Sequence, residues 1–476
     1  MRRFARYNVF RRRLLMHKPI QAAVILAAGR GRRMWPYDEL RPKAILPILN
    51  RPLIGRLVDD LTAVGVQRVI VVVGHQSQRV RHALTDRDHV AFVEQARPDG
   101  TAPAILAAMP LVDGEAFLVV HGDLLLDQAD LRALIETFAQ GDCQIAALVH
   151  PLDREDSRDW LCASVRGGMV AAVEGHPREG EFRLTGVYAL HRSALRYLQD
   201  NPGLVAHVPV GGMPPIEADL AASLQMAIED GMSIPAVTTT GPFVDLDKPW
   251  HILEANARAI EAATANMGDP IADCGARISD GADILGPVIL EAGARIGPRT
   301  VVMGPLWVGK DTTIENGPII GPGVVIGAGC KVANYCMIGG GTTIGPLNVI
   351  DHCAEISGVT MDRVYLSHYM EFWGVIGSGV DLGAATVCGN LRFDDGHTTH
   401  TVLGRRETPG FAANAVFLGD YCRTGVNAVL LPGVKVGPYS CVGPGVIASE
   451  DVPARTLVLA QQTLVRKSWG PERYGW

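Results

Sequence analysis

Leu26-Ala27-Ala28-Gly29-Arg30-Gly31-Arg32-Arg33-Met34-Trp35-Pro36 and, after a four-residue gap, Arg41-Pro42-Lys43-Ala44-Ile45-Leu46-Pro47 form the stretch that decides the fold of the first half of this chain. The apolar run from Ala22 to Leu26 before it reads as a buried strand. Gly29 and Gly31 then let backbone amides approach an anion with no side chain in the way. Arg33 and Lys43 add two cations to the same small region. Glycines at a strand end, with fixed positive charges nearby, suit the triphosphate of a nucleotide.

Reading outward, Leu53, Leu57, Leu61 and Val64 recur at helical spacing, and Gly65 stops the pattern. Val69 to Val73, Phe117 to Val120 and Ile145 to Val149 read as further buried strands. Strands alternating with helices predict a three-layer, Rossmann-like α/β domain with a mostly parallel sheet. Ligands of such a sheet sit beyond the carboxyl ends of its strands. Asp123, in His121-Gly122-Asp123, stands at such an end. It is therefore a candidate ligand for a Mg²⁺ carried on nucleotide phosphates, which needs one or two carboxylates.

The second half is a repeat. From Ile278 to Ile356 every sixth residue is Ile, Leu or Val, fourteen in succession, and Gly often follows, as at Gly297, Gly309, Gly327, Gly339 and Gly345. A period of six does not fit a 3.6-residue helix. It fits short strands joined by tight corners, each aliphatic pointing into one shared core, as in a parallel β-helix of hexapeptide repeats. The register then shifts by two residues to Val364, Met370, Ile376, Leu382 and Cys388. A longer loop of about 391–412 follows, and the period resumes at Leu418, Thr424, Leu430, Val436 and Val442.

Composition narrows the function. A chain of 476 residues with a net charge of −6 predicts two or three domains and no nucleic-acid partner. Its nine cysteines include no Cys-x-x-Cys pair, which argues for reduced structural thiols, a cytoplasmic setting and no zinc site. No apolar run reaches membrane-spanning length, so no membrane partner is expected. Residues 1–19 carry Arg2, Arg3, Arg6, Arg11, Arg12, Arg13 and Lys18 with no acid. A disordered basic tail, or a start at Met16, is the expectation there, with a targeting or membrane-surface segment as the alternative.

The glycine-rich run and the Lys43 motif resemble the signature of the sugar-1-phosphate nucleotidyltransferases, which join a nucleoside triphosphate to a sugar phosphate and release pyrophosphate. The resemblance implies that Arg33 and Lys43 hold the phosphates and act in catalysis. It implies nucleotide contacts from Leu26, Ala28, Gly29, Gly31, Gln95, Gly100 and Thr101, with Gln95 reading the base and favouring UTP or dTTP. Phe243-Val244-Asp245-Leu246-Asp247-Lys248-Pro249-Trp250 resembles the family's second metal motif, which makes Asp245 the partner of Asp123. Glu174 and Gly186 match sugar-binding positions. Three positions depart from the pattern: Arg32 stands for Thr or Ser, His176 for Lys and Thr185 for Asn.

With the repeat added, about residues 20–465 resemble the bifunctional N-acetylglucosamine-1-phosphate uridylyltransferase/glucosamine-1-phosphate acetyltransferase family in its archaeal form. That implies a left-handed winding, a homotrimer and acetyl-CoA as a second-site substrate. His368 matches the acetyltransferase general base, Asn390 a sugar or acetyl contact, and Glu355 an upstream acid. Ser357 replaces a phosphate-binding Lys, Glu371 a Tyr and Asp381 an Asn. The expected organisation is a basic extension over 1–19, the nucleotidyltransferase domain over 20–262, the left-handed β-helix over 263–467 and a tail over 468–476. Two other readings stand beside a bifunctional enzyme. In one the β-helix is an inactive oligomerising or regulatory scaffold, and in the other the chain is a non-enzymatic subunit of an assembly.

Overall fold

The computed structural model describes residues 20–152, 155–174, 180–205, 216–265, 267–268 and 271–474. The basic segment 1–19 and His176 lie outside these residues. The first domain is built on β1 (Ala22–Ala27), β2 (Arg68–Val73), β3 (Val90–Glu94) and β4 (Ala116–His121), which run parallel in the order β4-β1-β2-β3. Each is a near-continuous apolar run because helices cover both faces. Ala23, Ile25 and Ala27 of β1 enter one core and Ala22 and Val24 the other, the alternation a strand imposes.

Beyond β4 the sheet becomes antiparallel. Phe182–His191 pairs antiparallel with β4 and with Ile145–Pro151, and the Cys162–Arg166 and Met169–Glu174 hairpin continues that edge. The sheet is therefore mixed, and Ala236–Thr238 adds one further parallel pairing on Ile145–Pro151. A short strand, Leu124–Leu125, directly after β4 pairs antiparallel with Val244–Asp245.

The second domain is a parallel β-helix with three ladders of short strands. Leu290, Val308, Ile326 and Ile344 stack on one ladder, and Ile296, Ile314, Val332 and Ile350 on the next. Their side chains fill one continuous apolar core. A second inward position lies two residues earlier and takes small side chains such as Ala294, Thr300, Thr312, Cys330 and Cys336. The following glycines meet stacked backbone: a Cβ on Gly327 would lie 2.6 Å from Pro346 N.

One register differs from the sequence reading. Thr360, Leu366 and Phe372 stack on Ile344, Ile350 and Ile356, so the coil shortens at Thr360. The strand Glu355–Thr360 runs through what is elsewhere a corner, bending at Gly358 (φ +113°). Val364 and Met370 are still buried, but at the second inward position. The loop after Cys388 carries a hairpin, His400–Val402 with Arg405–Glu407.

The helix Trp250–Thr264 lies between the domains. Trp250, Ile252, Leu253 and Ala255 share one core with Met34, Tyr37 and Leu46 of the first domain and Val359, Val375 and Phe417 of the β-helix.

Candidate active site

A cleft of about 540 Å³ opens beyond the carboxyl ends of β1 and β4. Leu26, Ala28, Gly29, Gly31, Arg33, Lys43, Gln95, Gly100, Thr101 and Asp123 all line it, so the structure brings these sequence-derived candidates together. Gly31 adopts φ +68°, and a Cβ there would lie 3.3 Å from Lys43 Cβ. The glycine therefore lets the loop close over the lysine stem.

Lys43 is the electrostatic centre. Its ammonium is ion-paired with Asp123 Oδ2 and stands 4.0 Å from Asp247 Oδ1. Arg33 Nη1 is 3.1 Å from Asp247 Oδ2. Burial alone would depress the Lys43 ammonium, but Asp123, Asp245 and Asp247 together outweigh it and push the group well above its ordinary range. Burial and the neighbouring Asp123 push Asp245 up to about 7, against the pull of Lys43. Asp247 is held below the usual carboxylate range: burial opposes this, and Arg33 and Lys43 overcome it. Asp247 N and Lys248 N both donate to His251 Nδ1, whose ring burial drives down to about 3 and keeps as a neutral acceptor.

Asp123 and Asp245 are neighbours because their short strands pair, and Leu246 N donates to Asp123 O at 3.0 Å. Asp123 Oδ1 is buried with no hydrogen-bond donor. An unclaimed carboxylate oxygen beside a second carboxylate fits a Mg²⁺ that takes most of its other ligands from water and phosphate. Among the described residues no cluster of three or more His, Cys, Asp or Glu forms a closed metal cage.

Around the rest of the cleft, several side chains already have partners. Both amide hydrogens of Gln95 are spent on Asp99 Oδ1 (2.8 Å) and Gly100 O (2.9 Å), which leaves its carbonyl oxygen to accept. Thr101 Oγ1 accepts from Leu220 N at 2.7 Å, so the hydroxyl caps the distant helix Leu220–Glu229. Gly186 does not line the cleft. It lies behind His121, and a Cβ on it would be 2.6 Å from His121 Cγ. Thr185 Oγ1 donates to Leu148 O at 2.8 Å inside the core. Glu174 ends its strand, and its side chain is outside the described residues.

Sequence reasoning passed over His121, Asp219 and Leu403, which line the cleft, and preferred Asp245 to Asp247. Asp247 had a signal, since it shares a motif with Asp245. Leu403 had none, because it arrives from the β-helix hairpin.

On the β-helix, His368 Nδ1 lies 2.6 Å from His352 Nδ1, within hydrogen-bond distance. His368 sits at the corner entering Glu371–Ile376. Asn390 follows Val387–Cys388 at the opposite edge of that face and is exposed. One chain therefore does not bring His368 and Asn390 together. Glu355 and Glu371 are register partners, which places two carboxylates side by side on the same face.

Residues 23–203 match the family model of the MobA-like NTP transferase domain, and residues 311–357 match the bacterial transferase hexapeptide model of six repeats. A bifunctional sugar-1-phosphate nucleotidylyltransferase/acetyltransferase of Sulfurisphaera tokodaii is 28% identical over 90% of this chain and 98% of its own length. A bifunctional protein GlmU of Methanococcus maripaludis is 26% identical over 93% of this chain and 98% of its own. A GlmU of Cupriavidus taiwanensis is 45% identical over a segment covering 24% of each chain.

Gly186→Ala is expected to destabilise the protein by about 2 kcal/mol, from a left-handed backbone and a displaced His121 ring. Chemical denaturation measures this. Adding His121→Ala should recover most of the steric part, and strictly additive losses would contradict the contact.

Proposed function

We propose that this chain, a nucleotidyltransferase joined to a hexapeptide-repeat transferase domain, moves a nucleotidyl group from a nucleoside triphosphate to a sugar 1-phosphate and releases pyrophosphate. The observation that supports this is the convergence of Arg33, Lys43 and Asp123 with the Gly29–Gly31 loop in one cleft. The phosphate oxygen of the sugar attacks the α-phosphorus, and the bond to the pyrophosphate oxygen breaks. That oxygen is already anionic, so no covalent intermediate or strong base is needed. Lys43 trades Asp123 for phosphate oxygens when the triphosphate enters, and Arg33 turns to the leaving pyrophosphate. Asp123 and Asp245 would hold Mg²⁺, which supplies further charge neutralisation at the phosphates. The free carbonyl oxygen of Gln95 accepts from the imide N–H of uracil or thymine, which favours UTP or dTTP.

Pyrophosphate release across a panel of triphosphates and sugar 1-phosphates tests the reading, and no release with any pair would refute it. Asp123→Asn is expected to cut kcat about a thousand-fold, equivalent to about 4 kcal/mol, while the melting temperature holds. Near-normal turnover in that variant would remove Asp123 from the site.

The β-helix is read as an acetyl-CoA-dependent N-acetyltransferase domain, with His368 taking the proton from an attacking amine. His368 and Asn390 border opposite edges of one face, so the site closes only where two copies meet. The assembly that supplies this by cyclic packing is a homotrimer. Light scattering should give three times the mass of one chain, and a monomer at micromolar concentration would oppose it.

The paired Glu355 and Glu371, with Ser357 in place of a lysine, favour a second reading in which the acceptor carries no phosphate. Loss of one charge-assisted bond alone weakens a dianion about ten- to a hundred-fold. Acetyl-CoA consumption should therefore be greater with a neutral or cationic amino sugar than with glucosamine 1-phosphate, and should vanish in His368→Ala. Efficient, His368-dependent use of glucosamine 1-phosphate would overturn this. No turnover with any amine would leave the β-helix as a scaffold. Among the described residues no helix is long and apolar enough to cross a membrane.

A further inference from the structure

We infer that the β-helix positions the phosphate-holding cations of the first domain, through Arg41 and Lys248. This rests on the nucleotidyl-transfer reading of the cleft. Arg41 lies two residues before Lys43 and turns away from the cleft into the β-helix. Its Nη2 donates to Asp420 Oδ1 at 2.5 Å and to Ser378 Oγ at 3.0 Å, and its Nη1 reaches Met361 Sδ at 2.8 Å. Asp420 Oδ1 also accepts from Ser378 N at 2.7 Å, so the receiving carboxylate is itself fixed. Tyr37, wholly buried in the same loop, donates to Val375 O at 2.8 Å.

Lys248 makes the second anchor. It follows Asp247 directly and is 3% exposed. Its ammonium lies 2.5 Å from Glu407 Oε2 of the β-helix hairpin and 2.9 Å from Asp159 Oδ2. The tip of that hairpin, Leu403, reaches the rim of the cleft.

Asp247 is the residue on which Arg33 pairs and toward which Lys43 leans. Arg41 therefore lies two residues from Lys43, and Lys248 lies next to Asp247, the carboxylate on which Arg33 pairs. Side chains fixed by packing and by neighbouring hydrogen bonds hold catalytic geometry, and an error near 1 Å can cost about a hundred-fold in rate. The second domain thus forms part of the first domain's catalytic frame, with Arg41 and Lys248 as positioning residues.

The test uses full-length Arg41→Ala, Arg41→Lys and Glu407→Gln, assayed by pyrophosphate release. Each is expected to lower kcat about ten- to a hundred-fold, with KM for the sugar phosphate changed less than about two-fold. Arg41→Lys keeps the charge but loses the planar fork, so it should not rescue kcat. Arg41→Ala with Asp420→Asn should cost no more than the larger single change. Hydrogen exchange should accelerate across residues 41–47 in the Arg41 variants. If Arg41→Ala does not fold, Arg41→Lys and Glu407→Gln carry the test. Variants with parental kcat would overturn the proposal, as would losses that appear only at temperatures where the variant is unfolding. A parent chain that releases no pyrophosphate with any substrate pair refutes the nucleotidyl-transfer reading instead.

Discussion

Lys43 is one ammonium among three carboxylates, and the geometry of the cleft follows from that imbalance. Asp123, Asp245 and Asp247 on one small surface repel one another, and their mutual repulsion is tolerable only with cations between them. Arg33 and Lys43 supply two positive charges against three negative ones. The remaining carboxylate charge falls on Asp245, where burial drives proton uptake. On the nucleotidyl-transfer reading, an incoming triphosphate would compete with these carboxylates for Lys43 and Arg33.

Holding these charges in place is the task of the scaffold. Lys43 opens a single 3-10 turn, Lys43–Ile45, in the connection after β1. Gly31 closes over its stem from one side. Asp247 is held from behind by the neutral His251 ring, which accepts two backbone N–H groups. The helix Trp250–Thr264 that carries His251 packs on the β-helix through Trp250, Ile252 and Ala255. The cleft is thereby braced by His251 and Trp250, which do not line it themselves.

Much of this was legible in sequence, and the missing parts share a cause. Gly29, Gly31, Arg33, Lys43 and Asp123 were readable because they cluster along the chain near strand ends. The inward aliphatics of the β-helix were readable because their period is short. Asp247 was visible but not separable from Asp245, since two carboxylates a pair of residues apart on an extended chain look alike until burial and partners are known. Leu403, Glu407 and Asp420 carried no signal. Their roles arise from contacts more than 150 residues away in the chain, as Arg405 to Asp159 illustrates with a separation of 246. The antiparallel half of the sheet was missed for a related reason: the strand pattern shows where strands are, and pairing partners decide direction.

The six-residue period reports the core of the β-helix, but the docking face is written at a different position and a longer interval. On one ladder the residue just before each inward side chain faces outward, and in successive coils these residues are Val325, Thr343, Val359, Val375, Phe417 and Lys435, all buried. The corresponding outward residues of another ladder include Arg277, Arg295, Lys331 and Arg423. Val359, Val375 and Phe417 make this stretch of the first ladder apolar, and they share one core with the helix Trp250–Thr264. The interval changes where Glu355–Thr360 and Glu371–Ile376 continue through a former corner, bending at Gly358 and Gly374, so a fixed count loses Val359 and Val375. Tyr37 bonds to Val375 and Arg41 to Ser378 on and just after the second of those strands. The irregularity in the repeat and the anchoring of the segment that carries Arg41 therefore coincide: the shortened coils are among those the first domain contacts.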